Sequence, residues 1–169
     1  LQWSVRALGY VQGYDAAKSI GVDNSGNIYI SGTNTTSNSN KDYVTIKYNS
    51  NGIQQWSARY NGPASSGLDD VKSMVIDSLG NSFVTGVSFG TNSDGDCATV
   101  KYNSNGVLQW VARYNGAANN YDESMAIVLD TLGNVIITGI TFLTSLNADI
   151  LTVKYNSAGI QQWANTYNG

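Results

Sequence analysis

Residues 77–110 read DSLGNSFVTGVSFGTNSDGDCATVKYNSNGVLQW, and this stretch decides the fold. Its apolar residues alternate with a period of two. Phe83 and Thr85 lie on one side of an extended chain and Val84 on the other. Val100 and Tyr102 oppose Thr99 and Lys101 in the same way. Two punctuation clusters, Asp77 to Asn81 and Asn103 to Gly106, cut the runs with residues that favour tight turns. The reading is therefore strand–turn–strand, with no sustained helical stripe.

The same text recurs on both sides. Gln-Trp pairs stand at Gln2-Trp3, Gln55-Trp56, Gln109-Trp110 and Gln162-Trp163, so the indoles repeat about every 53 residues. Asp23, Asp77 and Asp130 each precede a Gly-Asn pair. Lys47, Lys101 and Lys154 each open a Lys-Tyr-Asn-Ser run. Four short strands fit each repeat. In the middle one they are expected near 71–77, 82–88, 97–102 and 107–114. The third strand carries apolar residues on both faces: Ile150 points away from Leu151, Val153 and Tyr155. A sheet that packs on both sides explains this, and a sandwich with one wet face does not. The expected fold class is all-β, with β-propeller blades of four antiparallel strands. A β-solenoid is the other architecture considered, although its rungs are usually shorter and nearly identical.

The pattern Asp-x-x-Gly-Asn-x-x-x-x-Gly, then Lys-Tyr-Asn-Ser-x-Gly, then Gln-Trp resembles the bacterial seven-bladed β-propeller repeat family (SBBP). The residues that carry it are Asp77, Gly80, Asn81, Gly86, Lys101 to Ser104, Gly106, Gln109 and Trp110, with equivalents throughout the chain. The resemblance implies a propeller, usually within large secreted or surface-attached bacterial proteins and seldom with a characterised activity. The Gly-x-x-x-Trp outer strand is also similar to pyrroloquinoline-quinone-type propeller repeats, but the cofactor residues of that type are not matched.

The chain of 169 residues divides on this reading into a partial propeller over 1–169. Residues 1–9 form a stray outer strand, 10–62 blade 1, 63–116 blade 2 and 117–169 blade 3. Three blades fall short of the roughly four to eight that close a ring. Either the chain is a piece of a longer array, which its start at Leu1 and surplus strand favour, or copies associate, as two three-blade chains in a six-blade ring. The expected partners are therefore the remaining blades of a longer chain or further copies of itself.

Composition narrows the function. Nine basic against twelve acidic residues leave a net charge of −3, which offers no electrostatic footprint for nucleic acid. No apolar run is long enough for a membrane-spanning helix. Without histidine, and with Cys97 as the single cysteine, His/Cys zinc sites and histidine-base mechanisms are excluded. No nucleophile motif is present and no catalytic residue is assigned. The paired carboxylates Asp69-Asp70 and Asp94/Asp96 suggest a glycosidase only weakly, with no apolar niche apparent to raise one pKa.

A residue repeated in every blade is most simply a folding residue. Trp3, Trp56, Trp110 and Trp163 are expected to pack the outer strands, and Asp23, Asp77 and Asp130 to close turns. Lys47, Lys101 and Lys154 should find partners on neighbouring strands or blades. Asp15, Asp69, Asp70, Asp122 and Glu123 begin the innermost strands near the channel mouth. They are the candidates for calcium, although no cofactor is expected. The variable loops, 34–41, 88–95 and 141–148 together with the connections between blades, share one face. There Tyr10, Tyr14, Phe89, Tyr121 and Phe142 are the candidate ligand-binding residues, suited to a protein or glycan. The expected function is a non-enzymatic structural or binding module of a secreted or cell-surface bacterial protein. Lectin-like or hydrolytic use of the loop face, and a building block of a larger homo-oligomeric or filamentous assembly, are the alternatives.

Overall fold

The turns come first, because they are the same in each repeat. Asp23 Oδ1 accepts the backbone N–H groups of Ser25 and Asn27, each at 2.9 Å, and Gly26 follows with φ of 77°. Asn49 does the same for Asn51 and Ile53 before Gly52. A side-chain oxygen holding two amides, followed by a left-handed glycine, reverses the chain in a few residues. Strands rich in β-branched and aromatic residues then pair across each turn.

A computed structural model describes residues 4, 14–35, 40–64, 67–91, 94–144 and 147–168. Their twelve strands are β1 (Asp15–Val22), β2 (Ile28–Thr35), β3 (Lys41–Tyr48), β4 (Gln54–Tyr60), β5 (Asp69–Ile76), β6 (Ser82–Phe89), β7 (Gly95–Tyr102), β8 (Leu108–Tyr114), β9 (Asp122–Leu129), β10 (Val135–Thr144), β11 (Asn147–Tyr155) and β12 (Gln161–Tyr167). They form three four-stranded antiparallel sheets in the orders β1-β2-β3-β4, β5-β6-β7-β8 and β9-β10-β11-β12. No helix occurs among the described residues. The architecture is all-β and open, a partial propeller of three blades. In the middle sheet β5 and β7 each start two residues earlier than the alternation alone suggests, since acidic and glycine residues at those ends still pair. The proposed stray strand at 1–9 lies outside the described residues apart from Ser4, and so do Trp3 and Tyr10.

The first strands of the sheets are neighbours: β1 lies against β5 and β5 against β9. The hydrophobic core lies between the blades. One cluster joins Tyr29 and Tyr43 of the first sheet to Val71, Val84, Val100 and Tyr102 of the second. Another joins Phe83, Cys97 and Ala112 to Ile137, Leu151 and Val153 of the third. The second strand of each sheet also carries a glycine, Gly32, Gly86 or Gly139, beside a bulge in the first strand's pairing. A Cβ on Gly86 would collide with the carbonyl of Asp70, where the register shifts between Val71 and Ser73.

Candidate binding site on the loop face

The last residues of β6 and β10 are built alike. Phe89 and Phe142 each stand three positions after the close-approach glycine of their strand, Gly86 and Gly139. Between them sits Tyr121, the residue before β9. Its ring centroid is 6.4 Å from that of Phe89 and 6.3 Å from that of Phe142, and both pairs meet edge to face. Two bonds lock the connection to the strand: the Phe142 N–H donates to the Tyr121 carbonyl at 3.2 Å, and Asn120 Nδ2 donates to the Phe142 carbonyl at 3.3 Å. Upstream, Asn119 takes a left-handed φ of 53° to close a turn onto Gly116. Burial, with Glu123 close by, pushes the Tyr121 phenol up to about 12, so it stays a neutral donor at physiological pH.

Asp94, Asn120, Tyr121, Ile140 and Phe142 line an open pocket of about 310 Å³. That is near the lower end of small-molecule sites, with aromatic walls and a carboxylate and an amide at the edge. Such a lining can stack on an apolar ring face while Asp94 accepts hydroxyl donors and Asn120 offers its amide. Tyr14, 71% exposed, lies apart from this trio in the first blade, where its carbonyl accepts the Thr35 N–H.

The acidic positions do not converge. Asp69 is buried and accepts the Gly62 N–H at 2.6 Å, and Asp122 accepts the Gly116 N–H at the same distance. Burial raises both carboxyls, and the backbone amides offset this only in part. The expectation of no niche able to raise a carboxyl pKa is thus corrected. Sequence neighbours on a strand point to opposite faces, so Asp69 can be enclosed while Asp70 is not. Burial also acts on Asp70, but the Thr33 hydroxyl at 2.6 Å and Lys72 outweigh it and lower the carboxyl. Lys72 Nζ lies 3.0 Å from Asp70 and 2.9 Å from Glu123, spanning two blades. Asp15 takes the Asn34 side-chain amide. Among the described residues no three His, Cys, Asp or Glu side chains are grouped to hold a metal ion.

The repeated residues join strands and blades. Asp23, Asp77 and Asp130 accept the turn amides and the side chain of the following asparagine. Lys154 lies 2.9 Å from Asp130, and Lys47 lies 3.8 Å from Asp23 while donating to the Ser104 carbonyl at 3.3 Å. Lys101 sits 4.9 Å over the Phe83 ring. Trp56 donates to Ser104 in the second blade, and Trp110 to Ser157 in the third. Trp163 is 40% exposed. Sequence reading missed the arginine pairs: Arg59 meets Asp42, and Arg113 lies 2.8 Å from Asp96. It also missed Asn120 and Ile140 at the pocket. The arginine pairs were detectable as a repeated column, because Arg59 and Arg113 both stand three residues after the tryptophan.

Blades of this kind define the β-propeller class. Residues 55–92 match the model described as the SBBP beta-propeller repeat. No curated protein matches the chain. Solved structures are similar across nearly its whole length, two of them as follows. A eukaryotic initiation factor shares 8% identity at a TM-score of 0.54, over 98% of this chain and 35% of its own. A fucose lectin from Kordia zhangzhouensis, solved in complex with methyl-fucoside, shares 14% identity at a TM-score of 0.51, over 91% of this chain and all of its own. The chain thus spans about a third of the initiation factor's length. At these identities the likeness concerns the fold.

Proposed function

We propose that the chain is a non-enzymatic binding module, in a secreted or surface-attached bacterial protein, that takes a glycan on its loop face. The observation that carries this is the aromatic row Phe89–Tyr121–Phe142, of which Tyr121 and Phe142 line one open pocket together with Asp94 and Asn120. A sugar ring has an apolar face that stacks on aromatic rings and a hydroxyl rim that needs paired acceptors and donors. This lining supplies both. The fucose lectin on the same fold supports the reading at the level of architecture. The recurrent lysines and aspartates are engaged in turns and seams, which leaves the variable loops as the recognition surface.

A glycan array followed by calorimetry on the best methyl glycoside tests this. Binding should be lost by about tenfold or more in Tyr121→Ala, with the far-ultraviolet spectrum unchanged. Unchanged affinity in both Tyr121→Ala and Asn120→Ala would overturn the site. Hydrolysis of the bound glycoside would replace the binding role with an enzymatic one.

A further inference from the structure

The third blade leaves open the face that its two predecessors bury. Ile150 is 56% exposed, while its counterpart Tyr43 is 1% exposed beneath the second blade. The first blade leaves open the opposite face. Ile20 is 70% exposed, whereas its counterparts Met74 and Ile127 are 9% and 7% exposed against a preceding blade. We propose that a second copy of this chain covers both, with the third blade of each protomer docked on the first blade of the other in a six-blade ring.

The two open faces match each other in the columns where the internal seams differ. At the internal seam Lys72 spans Asp70 and Glu123. The corresponding lysine position in the third blade is Met125, and the carboxylate position in the first blade is Ala16. Both charges are missing together, so Met125 meets the partner's Ala16 with no ion left unpaired. A blade with Asp or Glu at that position would bury an unpaired carboxylate against Met125. The Thr33–Asp70 bond has the same fate, because Thr33 corresponds to Ile140 and Asp70 to Ala16. The aromatic column continues: Phe89 packs on Tyr121, and Phe142 would pack on the partner's Tyr14, which is 71% exposed. Tyr60 accepts a bond from Arg113 at 3.1 Å, and its counterpart Tyr167 would accept one from the partner's Arg59. A two-fold axis makes each of these contacts twice. Two copies give six blades, within the range of about four to eight that close, whereas three copies would exceed it.

Sedimentation velocity of the 169-residue chain tests this, independently of any ligand. The expected mass is twice the 18.1 kDa of one chain. Met125→Lys should weaken the dimer by about tenfold or more, since it places in an apolar seam a charge whose partner-side carboxylate is missing. Adding Ala16→Glu should restore the dimer by recreating the Lys72–Glu123 pair. Met125 and Ala16 lie in non-adjacent blades, so rescue can act only between copies. Circular dichroism on each variant separates dissociation from unfolding. A wild-type chain of single-copy mass at about 100 μM, a mass other than two copies, or a Met125→Lys dimer as tight as wild type would each overturn the proposal. Glycan binding by a monomer would leave the loop-face site standing while this seam fails.

Discussion

The indole N–H of Trp56 donates to the main-chain carbonyl of Ser104, 2.9 Å away in the next blade. The same indole covers the turn at Gly106, where a Cβ would lie 2.6 Å from its ring. Trp110 repeats this on Ser157 and Gly159. One side chain thus does two things at the seam: it satisfies an outward carbonyl and excludes any residue larger than glycine.

Gly106→Ala should therefore destabilise the fold by about 2–4 kcal/mol. It combines the left-handed backbone penalty, at φ of 79°, with displacement of a packed indole. Gly133→Ala is the control. Its φ is 74°, but nothing lies within 4 Å of the added Cβ. Only the backbone term applies, about 1–2 kcal/mol. Urea midpoints at constant m-value measure both. Equal losses would mean that the indole contact contributes nothing.

Asp42 and Asp96 each meet an arginine from the outer strand of their own blade, Arg59 and Arg113. The third member of the column, Asp149, is 2% exposed, and neither of its oxygens has a hydrogen-bond partner among the described residues. The arginine position there is Thr166, paired in register with Leu151 as Arg113 is with Ala98. Thr166→Arg should give Asp149 the missing donor and stabilise the chain by about 1–3 kcal/mol. Thermal melts of Thr166→Arg and Thr166→Met separate the ionic gain from added side-chain packing. A Met variant as stable as the Arg variant would remove the ion-pair explanation.

The architecture was legible in the sequence because turns and seams use the same residues in every blade. A Gly-Asn or Ser-x-Gly turn and a tryptophan two residues into the outer strand fix four strands whatever lies between. The aromatic trio was only half legible. Phe89 and Phe142 follow a glycine at constant spacing, but nothing local places Tyr121 between them. Asn120 and Asp94 come from loops of differing length, whose approach is set by blade packing. The divergence of Asp69 and Asp70 was hidden for a related reason: alternation says that they face opposite ways but not which side is closed.

Lys72 joins two carboxylates from different blades. Burial acts to lower its pKa, but Glu123 and Asp70 together raise it. Its contribution is fully present below the unfolded lysine value near 10.4 and is lost as pH rises through the higher folded value. Lys72→Met should cost about 1–2 kcal/mol at pH 7, since the lysine is partly exposed and two carboxylates are left facing each other. The loss should shrink as pH falls through the lowered folded value of Asp70, whose protonation removes its charge from the cluster. A deficit independent of pH would point to lost packing of the lysine stem instead.

Asp69 behaves unlike an ordinary paired carboxylate. Its folded pKa is raised, chiefly by burial, so the native state binds the proton more readily than the unfolded chain does. Stability attributable to this group falls as pH rises from the unfolded value near 3.9 through the folded one. Asp23 and Asp70 are lowered instead, so what they add is present above about pH 4 and lost as pH falls through their lower folded values. In Asp69→Asn the amide oxygen stands in for the neutral acid and still accepts the Gly62 N–H. Wild type should gain on this variant as pH is lowered from 7 toward 4, measured as the difference between their urea unfolding free energies. A difference that stays flat, or moves the other way, would mean that the Gly62 and Ser88 donors outweigh burial and hold Asp69 ionised at an ordinary carboxylate pKa.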